Sequence, residues 1–194
     1  VGAVSVKNDE LRIRTQAAGW QAATALPVPA GAIGPSISGD GEVVAYAQPS
    51  QNAPAPPQWR VRTVAADGGR PLFAFAGSAP SYPNGPIRFA PRSRDVLLHT
   101  DVCGPKWGLA VGKADGTVAA VAEGVSPYVA EFSPDGKSVA YTSALLLWVV
   151  PTDGSAPPRK LAEGVHGPAG LEWSPDGSRI AFTPFFGGFG ACEG

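Results

Sequence analysis

The stretch FSPDGKSVAYT at residues 132–142 decides the fold of this chain, because its pattern occurs four times. Residues 173–183 read WSPDGSRIAFT and match it closely, and residues 37–47 read ISGDGEVVAYA. Residues 89–99, FAPRSRDVLLH, keep the apolar positions but lack the Ser-Pro-Asp-Gly turn. A fixed period of roughly 20 to 50 residues is typical of repeat architectures. The fourth turn residue recurs at intervals of 52, 43 and 41 residues, at Gly41, Ser93, Gly136 and Gly177.

A second series of turns lies between these copies. Asp-Gly occurs within residues 66–69, 114–117 and 152–155, each time between two short apolar runs. Asp-Gly between such runs predicts a β-hairpin, because glycine readily adopts the positive φ that the turn needs. Each repeat therefore reads as four antiparallel strands joined by two short turns and one longer loop. This is the composition of one blade of a β-propeller.

The Ser-Pro-Asp-Gly turn, followed by a basic residue, valine or isoleucine, alanine and an aromatic residue, resembles the TolB-type (WD40-like) β-propeller repeat. The resemblance covers residues 35–183, with two close copies, one fair copy and one poor copy. It implies a propeller fold and a bias towards the periplasm, because such blades are found in periplasmic binding scaffolds and in the gating domains of some peptidases. It implies no particular reaction, since a fold does not determine a function.

The two ends of the chain fit the repeat in a shifted frame. Residues 3–7, 11–15 and 24–28 look like strands two, three and four of a blade, and residues 171–173 and 179–182 look like strands one and two of another. Propellers often close by letting the two ends share a blade, which removes exposed sheet edges. The repeats predict seventeen strands in all, one more than a closed ring of four such blades needs.

We therefore expect an all-β fold, a single propeller domain of four-stranded antiparallel blades in a small or incomplete ring of about four to five blades. A four-bladed ring with a spare strand, an incomplete five-bladed ring and part of a larger ring all remain open. The expected domain is 1–194, with blades at about 1–34, 35–85, 86–127, 128–169 and 170–194, the last being partial or closing with the N-terminus.

The composition argues against two classes of function. Fifteen basic and sixteen acidic residues give a net charge of −1, which leaves no positive excess for nucleic-acid binding. The longest uncharged apolar run, residues 144–150, is far shorter than the roughly 20 residues of a membrane-spanning helix. The chain has no methionine and starts within a strand-like pattern, so we expect either an exported, processed protein or a piece of a longer one.

Chain direction alternates within a blade, so the short turns are expected on one face of the propeller and the longer loops on the other, the long-loop face. Aromatic residues and a histidine in these loops form a candidate binding face, although Trp59 and Trp107 could equally belong to the core and His166 could be an ordinary loop residue. The three phenylalanines of the tail would either anchor a partner or cover the chain's own propeller. The candidates are Trp59, Tyr82, Trp107, His166, Phe185, Phe186 and Phe189.

The two cysteines, Cys103 and Cys192, each follow the second strand of a blade and are therefore expected on the same face. They are compatible with one disulfide in an exported protein and equally with two free thiols. The two histidines and two cysteines lack the spacing of a zinc site, and the glycine-rich tail lacks the spacing and the following helix of a dinucleotide-binding loop. We expect no metal and no cofactor.

The titratable residues do not have the spacing of a catalytic constellation, and the repeated Asp40, Asp135 and Asp176 are expected to bond their own turns. We therefore expect a non-enzymatic, protein-interaction propeller in the periplasm or outside the cell. It would dock as an accessory subunit on a larger assembly, which includes the option of a membrane-associated complex, through the long-loop face or an open sheet edge. Neither a nucleic-acid partner nor a transmembrane segment is expected. Two alternatives remain, a propeller domain or fragment of a hydrolase or peptidase, and a carbohydrate-binding propeller that stacks sugars on Trp59 and Trp107.

Overall fold

The computed structural model is built from β-strands and turns, and no helix occurs among the residues that it describes. Those residues are 2–7, 10–15, 24–28, 31–49, 59–67, 71–75, 87–100, 108–125, 127, 129–165 and 170–182. The strands are β1 (Gly2–Lys7), β2 (Glu10–Thr15), β3 (Thr24–Pro27), β4 (Ile33–Ile37), β5 (Val43–Pro49), β6 (Trp59–Ala65), β7 (Pro71–Ala74), β8 (Val96–Thr100), β9 (Gly108–Gly112), β10 (Val118–Glu123), β11 (Val129–Phe132), β12 (Ser138–Ser143), β13 (Leu146–Pro151), β14 (Arg159–Glu163), β15 (Leu171–Trp173) and β16 (Ile180–Phe182).

These strands form five antiparallel sheets in which neighbours along the chain are also neighbours in the sheet. Sheet I contains β1–β3, sheet II β4–β7, sheet III β8–β10, sheet IV β11–β14 and sheet V β15–β16. In sheet III the place of the first strand is taken by a single bridge between Phe89 and Val96. The sixteen described strands and this bridge occupy the places of the seventeen strands that the repeats predict.

The alternation of side chains along the second strand of a repeat explains how the sheets stack. In β12, Val139 and Tyr141 pack towards sheet III, whereas Ala140 packs towards sheet V. All three residues are almost completely buried. Because successive side chains of a strand point to opposite faces, the sequence large, small, large suits a strand that lies between two neighbouring sheets.

Four apolar clusters join the five sheets in chain order, and their burial stabilises the stack. Trp148 and Trp173 are partly buried against the clusters that sheet IV forms with sheets III and V, respectively. The clusters between sheets I and II, II and III, III and IV, and IV and V contain, respectively, Tyr46, Val96, Val111 and Leu171.

This stack of antiparallel sheets is the all-β propeller that the repeats predict, but the sheets formed by the described residues are not closed into a ring. Ala45 and Ala140, which occupy the same repeat position in sheets II and IV, are 0% exposed because the next sheet covers them. Ala181, their equivalent in sheet V, is exposed, and no described sheet covers it. The expectation of an incomplete ring is confirmed, while the single-domain organisation and the blade limits stay predictions.

Candidate interaction surfaces

The Ser-Pro-Asp-Gly turns of sheets IV and V and the Ser-Gly-Asp-Gly turn of sheet II are closed by the same set of hydrogen bonds. In each turn the serine hydroxyl donates to the aspartate Oδ1 at 2.6 Å, and the same oxygen accepts the backbone N–H two residues later at 3.0 Å. The glycine has a φ of 72 to 80°, a conformation that other residues adopt only with strain. The expected role of the aspartates is therefore confirmed for three pairs, Ser38 with Asp40, Ser133 with Asp135, and Ser174 with Asp176.

These bonds keep the turn carboxylates ionised. Burial acts to raise the pKa of Asp40, but hydrogen bonds from the Ser38 hydroxyl, the Glu42 N–H and Arg94 outweigh it and lower the pKa to about 2. The Ser174 hydroxyl and the backbone N–H of Ser178 lower the pKa of Asp176 to about 2 as well. Both carboxyl groups are thus unsuited to donate a proton near neutral pH, because a general acid needs a pKa close to the working pH.

The two series of turns share one face, as the alternation of chain direction predicts. In sheet II the Ala66 N–H donates to the Glu42 carbonyl oxygen at 2.9 Å. In sheet IV the Thr152 N–H donates to the Lys137 carbonyl oxygen at 3.0 Å, and the Thr152 hydroxyl donates to the Gly136 carbonyl oxygen at 3.1 Å. We call this surface the short-turn face. In sheets II and IV, hydrogen bonds directly connect the two short turns of the same blade.

The degenerate copy of the turn, at residues 90–95, has no serine–aspartate bond of this kind but makes a side-chain bond to another blade. Arg94 Nε donates to Asp40 Oδ2 of the sheet II turn at 2.7 Å. Within sheet III, Asp95 accepts the backbone N–H of Ala114 at 2.9 Å. The copy of the turn that lacks the Ser-Pro-Asp-Gly sequence is therefore the one that connects sheet III to sheet II.

Lys113 extends this link to sheet IV. Its Nζ donates to Asp95 Oδ2 and to the carbonyl oxygen of Thr152, both at 3.2 Å. Lys113 and Asp95 are each about a quarter exposed or less, so solvent screens this ion pair less than the pair at Arg94. Arg94 and Lys113 thus connect sheets II, III and IV at the short-turn face. The sequence did not predict these bonds, because their donors and acceptors lie in different repeats.

A second group of charges lies on Arg88, which precedes the bridge residue Phe89 of sheet III, and on the first strands of sheets IV and V. Arg88 Nη2 lies 2.8 Å from Glu131 Oε1 of β11. Burial raises the pKa of Glu131, although the charge of Arg88 and its hydrogen bond oppose this, and the negative charge of Glu172 adds to the rise. The indole N–H of Trp173 donates to the Glu131 carbonyl oxygen at 3.3 Å, which links β15 to β11.

Most of the predicted binding face lies outside the described residues. Trp59 is the first residue of β6, and only its backbone is described. The other candidates and both cysteines lie outside the described residues, so their roles and the disulfide stay predictions. These residues are Tyr82, Trp107, His166, Phe185, Phe186, Phe189, Cys103 and Cys192.

The β12–β13 hairpin lies on the long-loop face and is described completely. Its strands are joined by Ala144 and Leu145 alone, which both have a positive φ, 51° and 64°. Leu145 is 48% exposed. Sequence reasoning did not single out this hairpin, because its turn contains none of the residues that usually mark one. The expectation of a longer loop between the second and third strands of a blade is wrong for sheet IV, because only two residues separate β12 from β13.

In the described part of the chain, no three histidine, cysteine, aspartate or glutamate residues are grouped so that they could hold a metal ion. Over the same ranges, no helix has the length and apolar character needed to span a membrane.

Comparison with known proteins identifies the fold. No protein-family model matches the chain, and no curated protein does either. Among solved structures, it is similar to a putative TolB from Agrobacterium tumefaciens, with a TM-score of 0.63 and 17% identity over 92% of this chain and 64% of that one. It is also similar to TolB from Acinetobacter baumannii, with a TM-score of 0.58 and 18% identity over 89% of this chain and 42% of that one.

The C-terminal WD40 domain of Sif2 has the same architecture, with a TM-score of 0.57 and 13% identity over 93% of this chain and 51% of that one. The chain thus spans between 42 and 64% of the length of these three structures. At such identities the likeness shows the fold alone, and this fold is that of a TolB-like or WD40-type propeller, as the repeats predict.

Proposed function

We propose that this chain is a non-catalytic protein-interaction propeller, exported from the cytoplasm, that docks as an accessory subunit on a larger protein assembly. One observation carries the proposal. The face of sheet V that holds Ala181 is exposed, whereas its equivalents at Ala45 and Ala140 are 0% exposed beneath the next sheet. A propeller that is not closed presents a face and a sheet edge of the kind that another β-sheet can cover or extend.

The charged groups support a structural rather than a catalytic use of the short-turn face. Asp40 and Asp176 are bonded within their turns, and Asp95 is bonded to Lys113 and Ala114. Groups that are fully engaged in this way stabilise a rigid scaffold, on which the longer loops of the opposite face can vary. Export is proposed from the resemblance of the repeat to TolB-type blades, and the long-loop face is the second surface on which docking is proposed.

The experiment is purification of the tagged full chain from its source organism in mild detergent, followed by mass spectrometry of the proteins that accompany it. Three forms are compared: the natural chain, Ala181→Glu, which places a charge on the open face, and Val118→Glu, which places one at an exposed position of sheet III. We expect a stoichiometric partner with the natural chain and with V118E, and its loss with A181E.

The outcomes separate the two docking surfaces. Retention of the partner by A181E would assign docking to the long-loop face. Emergence of the chain alone in all three forms would overturn the proposal. Cell fractionation of the same cultures tests export, because a chain confined to the cytoplasm would contradict that part of it.

A further inference from the structure

We draw no further inference here: the strongest candidate, the open face of sheet V around the exposed Ala181, belongs to the docking surface already proposed, and nothing in the described part of the chain shows what covers it.

Discussion

Arg94 in the turn of sheet III donates a hydrogen bond of 2.7 Å from Nε to Asp40 Oδ2 in the turn of sheet II, 54 residues earlier in the chain. Asp40 therefore serves two structures at once, since its other carboxylate oxygen closes its own turn with Ser38. The repeat that lacks the Ser-Pro-Asp-Gly sequence thus makes a side-chain contact with the preceding blade. The link joins two sheets at the short-turn face, outside the apolar cluster between them.

The Arg94–Asp40 ion pair is expected to contribute little to stability, because both side chains are nearly half exposed. We predict that Arg94→Ala lowers the free energy of unfolding by at most about 1 kcal/mol, as solvent screens such pairs. Arg92→Ala, which removes an exposed arginine of the same turn, is the control and should change it less. Urea denaturation at low salt and at 1 M salt tests this, and a difference between the variants that persists at high salt would contradict a screened ion pair.

Lys113 is expected to matter more, because it bonds Asp95 and the Thr152 carbonyl oxygen in a less exposed position. We predict that Lys113→Met lowers the free energy of unfolding by about 1 to 3 kcal/mol, since it leaves a partly buried carboxylate without its cation. The matched control is Lys137→Met, which removes an exposed lysine. A double-mutant cycle with Asp95→Asn should give a coupling of about 1 kcal/mol, and additive effects would show that the two side chains act independently.

Asp40 and Glu131 are expected to give stability opposite dependences on pH. The pKa of Asp40 is lowered to about 2, so the stability that its ionisation provides is present above the unfolded value near 4 and is lost as the pH falls towards 2. Burial raises the pKa of Glu131 in the folded chain, so its protonated form is the one that favours folding. The stability that it provides is fully present when the pH is below its pKa in the unfolded chain, and it is lost as the pH rises through its pKa in the folded chain.

The variants Asp40→Asn and Glu131→Gln test these two dependences. With Asp40→Asn, stability should fall less between pH 4 and about 2 than it does in the natural chain. With Glu131→Gln, stability should fall less as the pH rises above the ordinary pKa range of a glutamate. The measurement is the urea midpoint of each form at closely spaced pH values. Parallel curves for the natural chain and a variant would contradict the assignment of that residue.

Much of the fold could be predicted from the sequence, because its signals are local and repeated. The turn from Ser133 to Gly136 contains both the residues that bond each other and the glycine that takes a positive φ. The alternation Val139, Ala140, Tyr141 indicates which residues of the strand face one neighbouring sheet and which face the other. Because this pattern occurs four times, it also predicts the order of the blades along the chain.

The contacts between blades could not be predicted in this way. Arg94 and Lys113 meet partners from other repeats, and their charges have no periodic pattern. The Ala144–Leu145 turn escaped notice because turn signals are carried by glycine, asparagine and proline, and it has none of them. The predicted binding residues were chosen from loops by residue type alone, so nothing in the repeat fixes where they lie.

Gly108 offers a test of the packing within sheet III. A Cβ at Gly108 would collide with the Ala122 carbonyl oxygen, a backbone atom of β10 that cannot rotate away as a side chain could. We predict that Gly108→Ala lowers the free energy of unfolding by about 2 kcal/mol or more, because the two strands must separate to admit the methyl group. Gly124→Ala is the comparison, since Gly124 has a φ of +66° and open space around its Cβ position, so its cost is conformational, about 1 kcal/mol.

Substitution by asparagine separates the steric cause at Gly108 from the conformational cause at Gly124. Asparagine tolerates the left-handed conformation, so Gly124→Asn should recover much of what Gly124→Ala loses. Gly108→Asn should lower stability more than Gly108→Ala, because its larger side chain meets the same carbonyl oxygen. Urea denaturation gives the free energy of unfolding of the four variants. If asparagine is better tolerated than alanine at Gly108 as well as at Gly124, then β9 and β10 do not pack closely enough at Gly108 for the steric explanation.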